Sequence, residues 1–85
     1  MDEHIYDIDR FNAMGRDEQL RVARKFSDKT DSFEDENNRI DLYCHSDFFI
    51  EVIYRKELNF IKSIRGIDAL EYADLYIELE NMDDY

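Results

Sequence analysis

Three short segments in the second half of the chain alternate apolar and polar side chains, as β-strands do. They cover residues 40–45, 48–54 and 60–65, and all three are rich in β-branched or aromatic residues. Short polar turns separate them, and such close spacing favours antiparallel hairpins. We therefore predict a three-stranded antiparallel meander over residues 39–66.

Residues 5–27 have a helical pattern. Asp7 or Asp9 is placed to cap a first short turn, and Gly15 then interrupts the pattern. Acidic residues follow the glycine and basic residues end the segment, which complements a helix dipole. One kinked helix or two helices would satisfy this pattern, and we favour two.

The capping and apolar pattern of residues 67–80 predicts a C-terminal helix. Asp68 and Glu71 have the spacing of a capping box, and Leu70, Ala73 and Ile77 share one arc at helical periodicity. Taken over the whole chain, the residues expected to face the core are Leu20, Phe26, Leu42, Ile50, Val52, Ile64, Leu70, Ala73 and Ile77.

The segment between the first helical region and the first predicted strand, residues 28–38, is polar and carries five acids. We predict an acidic loop here, in which Phe33 is the one residue that could dock onto the core. A calcium-binding EF-hand loop starting at Asp28 would need glycine at its sixth position and glutamate at its twelfth. Phe33 and Arg39 occupy those positions, so the loop does not fit that motif.

These elements predict a single α+β domain over residues 1–85, with an N-terminal helix or helix pair and a C-terminal helix packed on one face of the meander. The hydrophobic pattern of the C-terminal half resembles small uncharacterised bacterial and mobile-element proteins of α-β-β-β-α order. It is carried by Ile40-x-Leu42-Tyr43, Asp47-Phe48-Phe49-Ile50-Glu51-Val52-x-Tyr54, Ile61-x-x-Ile64 and Leu70. The resemblance implies the order of elements and no activity.

The net charge of −11 over 85 residues makes binding to nucleic acid or to an anionic membrane unfavourable. A small basic patch at Arg21, Arg24 and Lys25 is diluted by neighbouring acids, so we expect no direct nucleic-acid binding. The single cysteine, the absence of a signal-like N-terminus and the lack of an apolar run of about 20 residues favour a cytoplasmic protein, in its own cell or in a host cell.

Catalytic patterns are absent from the sequence. Cys44 and His45 are neighbours, but consecutive strand residues point to opposite faces and would not form a nucleophile–base pair. We expect Cys44 to be a small buried apolar residue and His45 to lie on the surface at the strand end. Two histidines and one cysteine are too few for a structural zinc site, so we predict no metal, no cofactor and no enzymatic activity.

Acidic residues concentrate in two segments. Residues 67–85 contain seven acids and no basic residue, and residues 28–36 contain five acids and one lysine. We predict that carboxylates from both segments bind a basic protein partner: Glu71, Asp74 and Glu78 on the helix, and Asp31, Glu34, Asp35 and Glu36 in the loop.

The same helix has a second apolar arc formed by Tyr72, Leu75 and Leu79. Its total apolar sector is wider than one sheet face requires, so either the N-terminal helices cover the second arc or it meets another chain. Aromatic and aliphatic anchors beside carboxylates are typical of a protein interface, so these three residues join the predicted binding set.

The leading functional hypothesis is an acidic inhibitor or decoy that blocks a basic nucleic-acid-binding surface. Its concrete form is an anti-CRISPR or anti-restriction protein of a phage or mobile element. An immunity protein or antitoxin that neutralises a basic toxin is the alternative. A homo-oligomeric accessory protein, a homodimer in the simplest case, is the third hypothesis.

Overall fold

The chain forms a four-stranded antiparallel sheet with helices before and after it, in a computed structural model that describes residues 5–57 and 60–77. The strands follow one another in sequence order across the sheet. In chain order the elements are α1 Ile8–Asn12, α2 Arg16–Phe26, β1 Asp28–Glu34, β2 Asn38–His45, β3 Phe48–Arg55, β4 Phe60–Ile67, α3 Ala69–Tyr72 and a π-helical turn Ala73–Ile77. We call Ala69–Ile77 the C-terminal helix.

The α+β class and the strands β2, β3 and β4 agree with the sequence-based prediction, but the predicted acidic loop 28–38 is wrong. Most of it is β1, which pairs with β2 from Asp28 opposite Cys44 to Glu34 opposite Arg39. Polar residues suit this strand because it lies at the edge of the sheet, where charged side chains are common.

Two separate helices precede the sheet, as favoured from the sequence. The Asp7 side chain caps α1 by accepting a hydrogen bond from the Arg10 amide at 2.8 Å. Gly15 is the N-cap residue of α2 and has extended backbone angles. The interruption at Gly15 therefore lets the chain turn between two short helices, both of which contact β4.

The helices lie on opposite faces of the sheet, so the prediction that they share one face is wrong. Phe48 and Ile50 of β3 pack in a buried cluster with Phe11 of α1 and residues of α2. Phe49, between them, stacks on Tyr72 of the C-terminal helix. Because successive strand residues point to opposite faces, α1 and α2 cover one face and the C-terminal helix covers the other.

The predicted core set is correct in the central strands and wrong at the C-terminal helix. Leu42, Ile50 and Val52 are fully buried, whereas Leu70 and Ile77 are exposed. The remaining members of the set are partly buried: Leu20, Phe26, Ile64 and Ala73. The core is centred on β2 and β3, which have a strand on each side.

Side chains cover backbone groups at both edges of the sheet. At the β4 edge, the Asn12 side chain accepts a hydrogen bond from the Gly66 amide at 2.7 Å and donates one to the Gly66 carbonyl at 3.2 Å. At the β1 edge, Asp31 accepts a hydrogen bond from the Ser32 amide at 2.8 Å. Asn12 thus takes the place of a neighbouring strand, and both edges are blunted against pairing with another chain.

Replacing Asn12 by alanine tests this edge contact. We expect Asn12→Ala to lower the free energy of unfolding by about 1–2 kcal/mol, because two side-chain hydrogen bonds are lost. The matched control is Asn37→Ala in the β1–β2 turn, where the side chain makes no hydrogen bond within the described part of the chain. Urea unfolding followed by circular dichroism measures both variants, and equal stabilities would contradict the role of Asn12.

Candidate functional site

The C-terminal helix is attached to the sheet by two tyrosines. The Tyr72 ring stacks on Phe49 of β3, with 3.9 Å between centroids and 10° between planes. The Tyr76 ring stacks on Phe33 of β1 at 5.6 Å, also at 10°. The turn from Ala73 to Ile77 is wider than an α-helical turn. It brings the two tyrosines, four residues apart, over the same sheet face.

A buried carboxylate completes this attachment. Glu51 of β3 is 2% exposed, and it accepts hydrogen bonds from Arg65 Nε at 2.7 Å and from the Tyr76 hydroxyl. The hydrogen bond between Arg65 and Glu51 raises the pKa of the Arg65 guanidinium, which therefore stays charged. A buried carboxylate is costly unless it is paired, so Glu51 fixes both β4 and the C-terminal helix in place. The alternating pattern did not reveal it, because Glu51 stands where a polar residue is expected on an exposed face.

Glu71, one of the predicted binding residues, is partly neutralised by the sheet. Its carboxylate lies 3.4 Å from Arg65 Nη1. The helix itself has no basic residue to offset its acids, and Arg65 of β4 supplies that charge from the sheet. Asp74 is exposed and makes no ion pair within the described residues, unlike Glu71. Glu78 lies outside the described residues.

The apolar side chains of the helix follow the prediction only in part: Leu75 is exposed as expected, but Tyr72, Leu70 and Ile77 are reversed. Tyr72 packs on the sheet instead of facing a partner, while Leu70 is 75% exposed, Ile77 41% and Leu75 37%. Leu79 falls outside the described part of the chain. The surface of the C-terminal helix therefore combines Asp74 with three exposed aliphatic side chains, which we call the helix surface: Leu70, Asp74, Leu75 and Ile77.

The acids of the first segment are mostly engaged in local structure. Glu34 forms an ion pair with Lys56 at 2.8 Å, and the hydrogen bond to that lysine lowers the pKa of Glu34. Asp35 accepts the amides of Asn38 at 2.7 Å and Asn37 at 2.8 Å, which lowers its pKa. These carboxylates build the β1–β2 turn.

Of the four acids predicted to bind a partner from this segment, Glu36 and Asp31 make no ion pair within the described residues, although Asp31 accepts a hydrogen bond from the Ser32 amide. Glu36 is exposed at the turn, and no side-chain contact is recorded for it within the described residues. Asp31 is half-buried and lies opposite Leu42 of β2. Phe33, two residues further along β1, lies opposite Ile40. Asp31 and Phe33 therefore lie on the sheet face that carries the C-terminal helix. The structure thus places part of the first acidic segment beside the second, through the contact of Phe33 with Tyr76.

His45 is buried, so the prediction that it lies on the surface is wrong. Its Nε2 atom accepts a hydrogen bond from the Tyr6 amide at 3.1 Å, and Nδ1 lies 3.0 Å from the Phe26 carbonyl and 2.9 Å from Ser27 Oγ. A carbonyl only accepts, so Nδ1 carries the proton. The Ser27 hydroxyl donates to the Val22 carbonyl at 2.9 Å.

This arrangement does not resemble an activated serine. Both nitrogens of His45 are engaged, and its protonated Nδ1 faces Ser27, so the ring cannot take the serine proton. Cys44 is only half-buried and belongs to the other sheet face, which leaves it apart from His45 as expected from strand geometry. The histidine holds the N-terminal segment against the end of α2. Both faces of β2 are covered, and this is why its polar positions are also buried.

No family model, curated protein or solved structure matches the chain. Over residues 5–57 and 60–77, no three metal-ligating side chains are grouped so as to hold an ion. Among the helices in those ranges, none has the length and apolar character needed to cross a membrane.

Replacing Tyr76 by phenylalanine tests the attachment of this helix. We expect Tyr76→Phe to lower the free energy of unfolding by about 1–3 kcal/mol, because a hydrogen bond to a buried carboxylate is lost. Tyr72→Phe is the matched control, since the Tyr72 hydroxyl makes no hydrogen bond in the part of the chain described. Equal stabilities of the two variants would contradict the role given to the Tyr76 hydroxyl.

The effect also depends on pH. Burial, and then the hydrogen bond to Glu51, raise the pKa of Tyr76 above the ordinary tyrosine value of about 10. A raised pKa means that the stabilisation is complete below about pH 10 and is lost as the pH rises through the folded-state value. The stability difference between the native chain and Tyr76→Phe should therefore be constant from pH 7 to 9 and shrink above about pH 10, measured by urea unfolding.

Proposed function

We propose that the chain is an acidic protein-binding inhibitor or decoy that occupies a basic, nucleic-acid-binding surface of another protein. The observation that carries this proposal is the helix surface, where an unpaired carboxylate lies among three exposed aliphatic side chains. Charged groups steer a partner of opposite charge, and apolar side chains contribute affinity once water is excluded. The carboxylates stand in for the phosphates that such a partner normally binds.

The attachment of the helix supports a binding role. Two ring stacks and the contact of Tyr76 with Glu51 fix the helix before any partner arrives. A surface that is already ordered loses less conformational entropy on binding, which favours affinity at a given contact area. Asp31 and Glu36 extend the negative charge beyond the helix, so that a basic surface would meet acids from both segments.

In its concrete form the proposed partner is a host defence nuclease, and the chain is an anti-CRISPR or anti-restriction protein of a phage or mobile element. Small size and a net charge of −11 support this form. An immunity protein or antitoxin would use the same chemistry against a basic toxin. The exposed aliphatic side chains favour one further candidate, a homodimer formed through the helix surface.

Charge reversal at Asp74 and removal of the Leu70 side chain test the binding role. The immobilised chain should retain a basic nucleic-acid-binding protein from a bacterial lysate, identified by mass spectrometry. The purified partner should then lose nucleic-acid binding when the chain is added. We expect Asp74→Lys and Leu70→Ser each to weaken the measured affinity by roughly tenfold or more, and added salt to weaken it further.

The control is Glu57→Lys, which makes the same charge change at an exposed acid in the β3–β4 turn. Its affinity should stay close to that of the native chain. Equal binding by all three variants would remove the helix surface from the interface. A dimer seen by light scattering and abolished by Leu70→Ser would replace the inhibitor with the homodimer.

A further inference from the structure

A group of basic side chains lies on the opposite face of the sheet from the acidic helix. Arg24 of α2 donates a hydrogen bond to the Tyr54 hydroxyl at 3.0 Å, and the Arg39 guanidinium lies 4.2 Å from the centre of the Tyr54 ring. Lys29 Nζ is 3.6 Å from Asp41, and Arg39 Nη2 is 3.3 Å from the same carboxylate. We call Arg24, Lys29 and Arg39 the cationic cluster.

The cationic cluster presents positive charge to solvent. Its one acidic neighbour in these contacts, Asp41, is buried, and its carboxylate also accepts a hydrogen bond from Ser32 at 2.8 Å. The side chains of Lys29 and Arg39 are 51% and 43% exposed. Two cationic groups, Lys29 and Arg39, thus flank one buried carboxylate, while Arg24 contacts Tyr54 beside them. Glu34 lies opposite Arg39 in the sheet, but its ion pair is with Lys56.

A groove on α2 adjoins the cluster. It encloses about 250 Å³, and Leu20, Arg21, Arg24 and Lys25 line it together with Asp17. Arg24 belongs to both the groove and the cluster. Arg21 is held by Glu18 at 3.7 Å, whereas Lys25 has no ion pair within the described residues. The groove therefore has an apolar side chain, Leu20, between basic ones.

The two arginines are held in position by the sheet. Tyr54 contacts one guanidinium through its hydroxyl and the other through its ring, and Asp41 fixes the second. Arg24 donates to the Tyr54 hydroxyl and also interacts with Tyr43, which leaves part of the five N–H donors of its guanidinium for a ligand. A guanidinium offers several donors in a planar fork that matches the oxygens of a phosphate.

We propose that the cationic cluster and the α2 groove bind the phosphate groups of a small ligand of about nucleotide size. Leu20 would contact the organic part of that ligand. A long nucleic acid is disfavoured, because a chain of −11 repels a polyanion over distances beyond the cluster. This site is separate from the helix surface, and it does not depend on the function proposed above.

Titration of the ¹⁵N-labelled chain with inorganic pyrophosphate, at constant ionic strength set with sodium chloride, tests the site. We expect the amide resonances of Arg24, Lys25, Lys29 and Arg39 to shift, and those of the C-terminal helix to stay in place. Adenosine diphosphate should bind at least as tightly as pyrophosphate, because Leu20 contacts its nucleoside.

Three variants complete the test. Arg24→Gln and Lys25→Gln should each weaken pyrophosphate binding, by roughly tenfold for Arg24, whose hydrogen bonds to the anion are charge-assisted. Both positions are exposed, so circular dichroism should show an intact fold. Lys62→Gln, an equal loss of charge at an exposed residue on β4, should bind as the native chain does.

The results that would overturn the proposal are equally specific. They are the absence of shifts at millimolar pyrophosphate, equal weakening by Lys62→Gln and Arg24→Gln, and weaker binding of adenosine diphosphate than of pyrophosphate. Binding of a single-stranded oligonucleotide or an acidic peptide without pyrophosphate binding would also replace the small ligand with a macromolecule.

Discussion

Coverage of the sheet on both faces is the constraint on which the rest of the structure depends. The central strands β2 and β3 carry side chains to both sides, and in so short a chain each side receives only a thin helical layer. Each side also buries one carboxylate, Asp41 beneath α2 and Glu51 beneath the C-terminal helix. Asp41 is paired with Lys29 of β1 and with Arg39 of its own strand, and Glu51 with Arg65 of β4, since buried charges are costly unless paired.

These two carboxylates account for the distribution of charge at the surface. On the α2 face, Asp41 forms ion pairs with Lys29 and Arg39, and α2 carries further basic residues. Beneath the C-terminal helix, Glu51 forms an ion pair with Arg65. Arg65 is partly covered there and also pairs with Glu71. The sheet therefore separates a surface of mixed charge on the α2 side from the acidic C-terminal helix on the other.

The spacing of apolar and polar residues predicted those elements whose side chains follow one regular local pattern. It located β2, β3 and β4 and the short polar turn between β2 and β3, because these depend on local alternation. The sequence also offered Asp7 or Asp9 as the cap of the first helix and Asp68 as the cap of the last, and the structure has Asp7 and Asp68 in these roles. β1 was missed because its polar sequence becomes a strand only through pairing with β2. At the edge of a sheet, whether a segment forms a strand depends on its pairing with the next strand and not on its own residues alone.

The C-terminal helix was predicted from the sequence, but not which of its side chains face the sheet. The acidic C-terminal helix was identified from charge, yet drawing it as a regular α-helix placed Leu70 and Ile77 inward. The π-helical turn changes the angles, and the tyrosines take the inner positions. His45 and Glu51 were not identified as buried, because a sheet covered on both faces has no solvent-facing set of alternating residues. Only the three-dimensional arrangement reveals that.

Tyr72 and Tyr76 face the sheet in place of the aliphatic residues for a physical reason. A tyrosine buries a large area on the sheet, and its hydroxyl satisfies a buried carboxylate, which a leucine or isoleucine cannot do. Once Tyr72 and Tyr76 occupy the sheet face, the aliphatic residues of the same helix must point outward. Their exposure gives up favourable burial, at about 25 cal/mol for each Å² left in contact with water. A partner that covers Leu70 and Ile77 would recover this free energy, and Asp74 between them would select a partner with a basic surface.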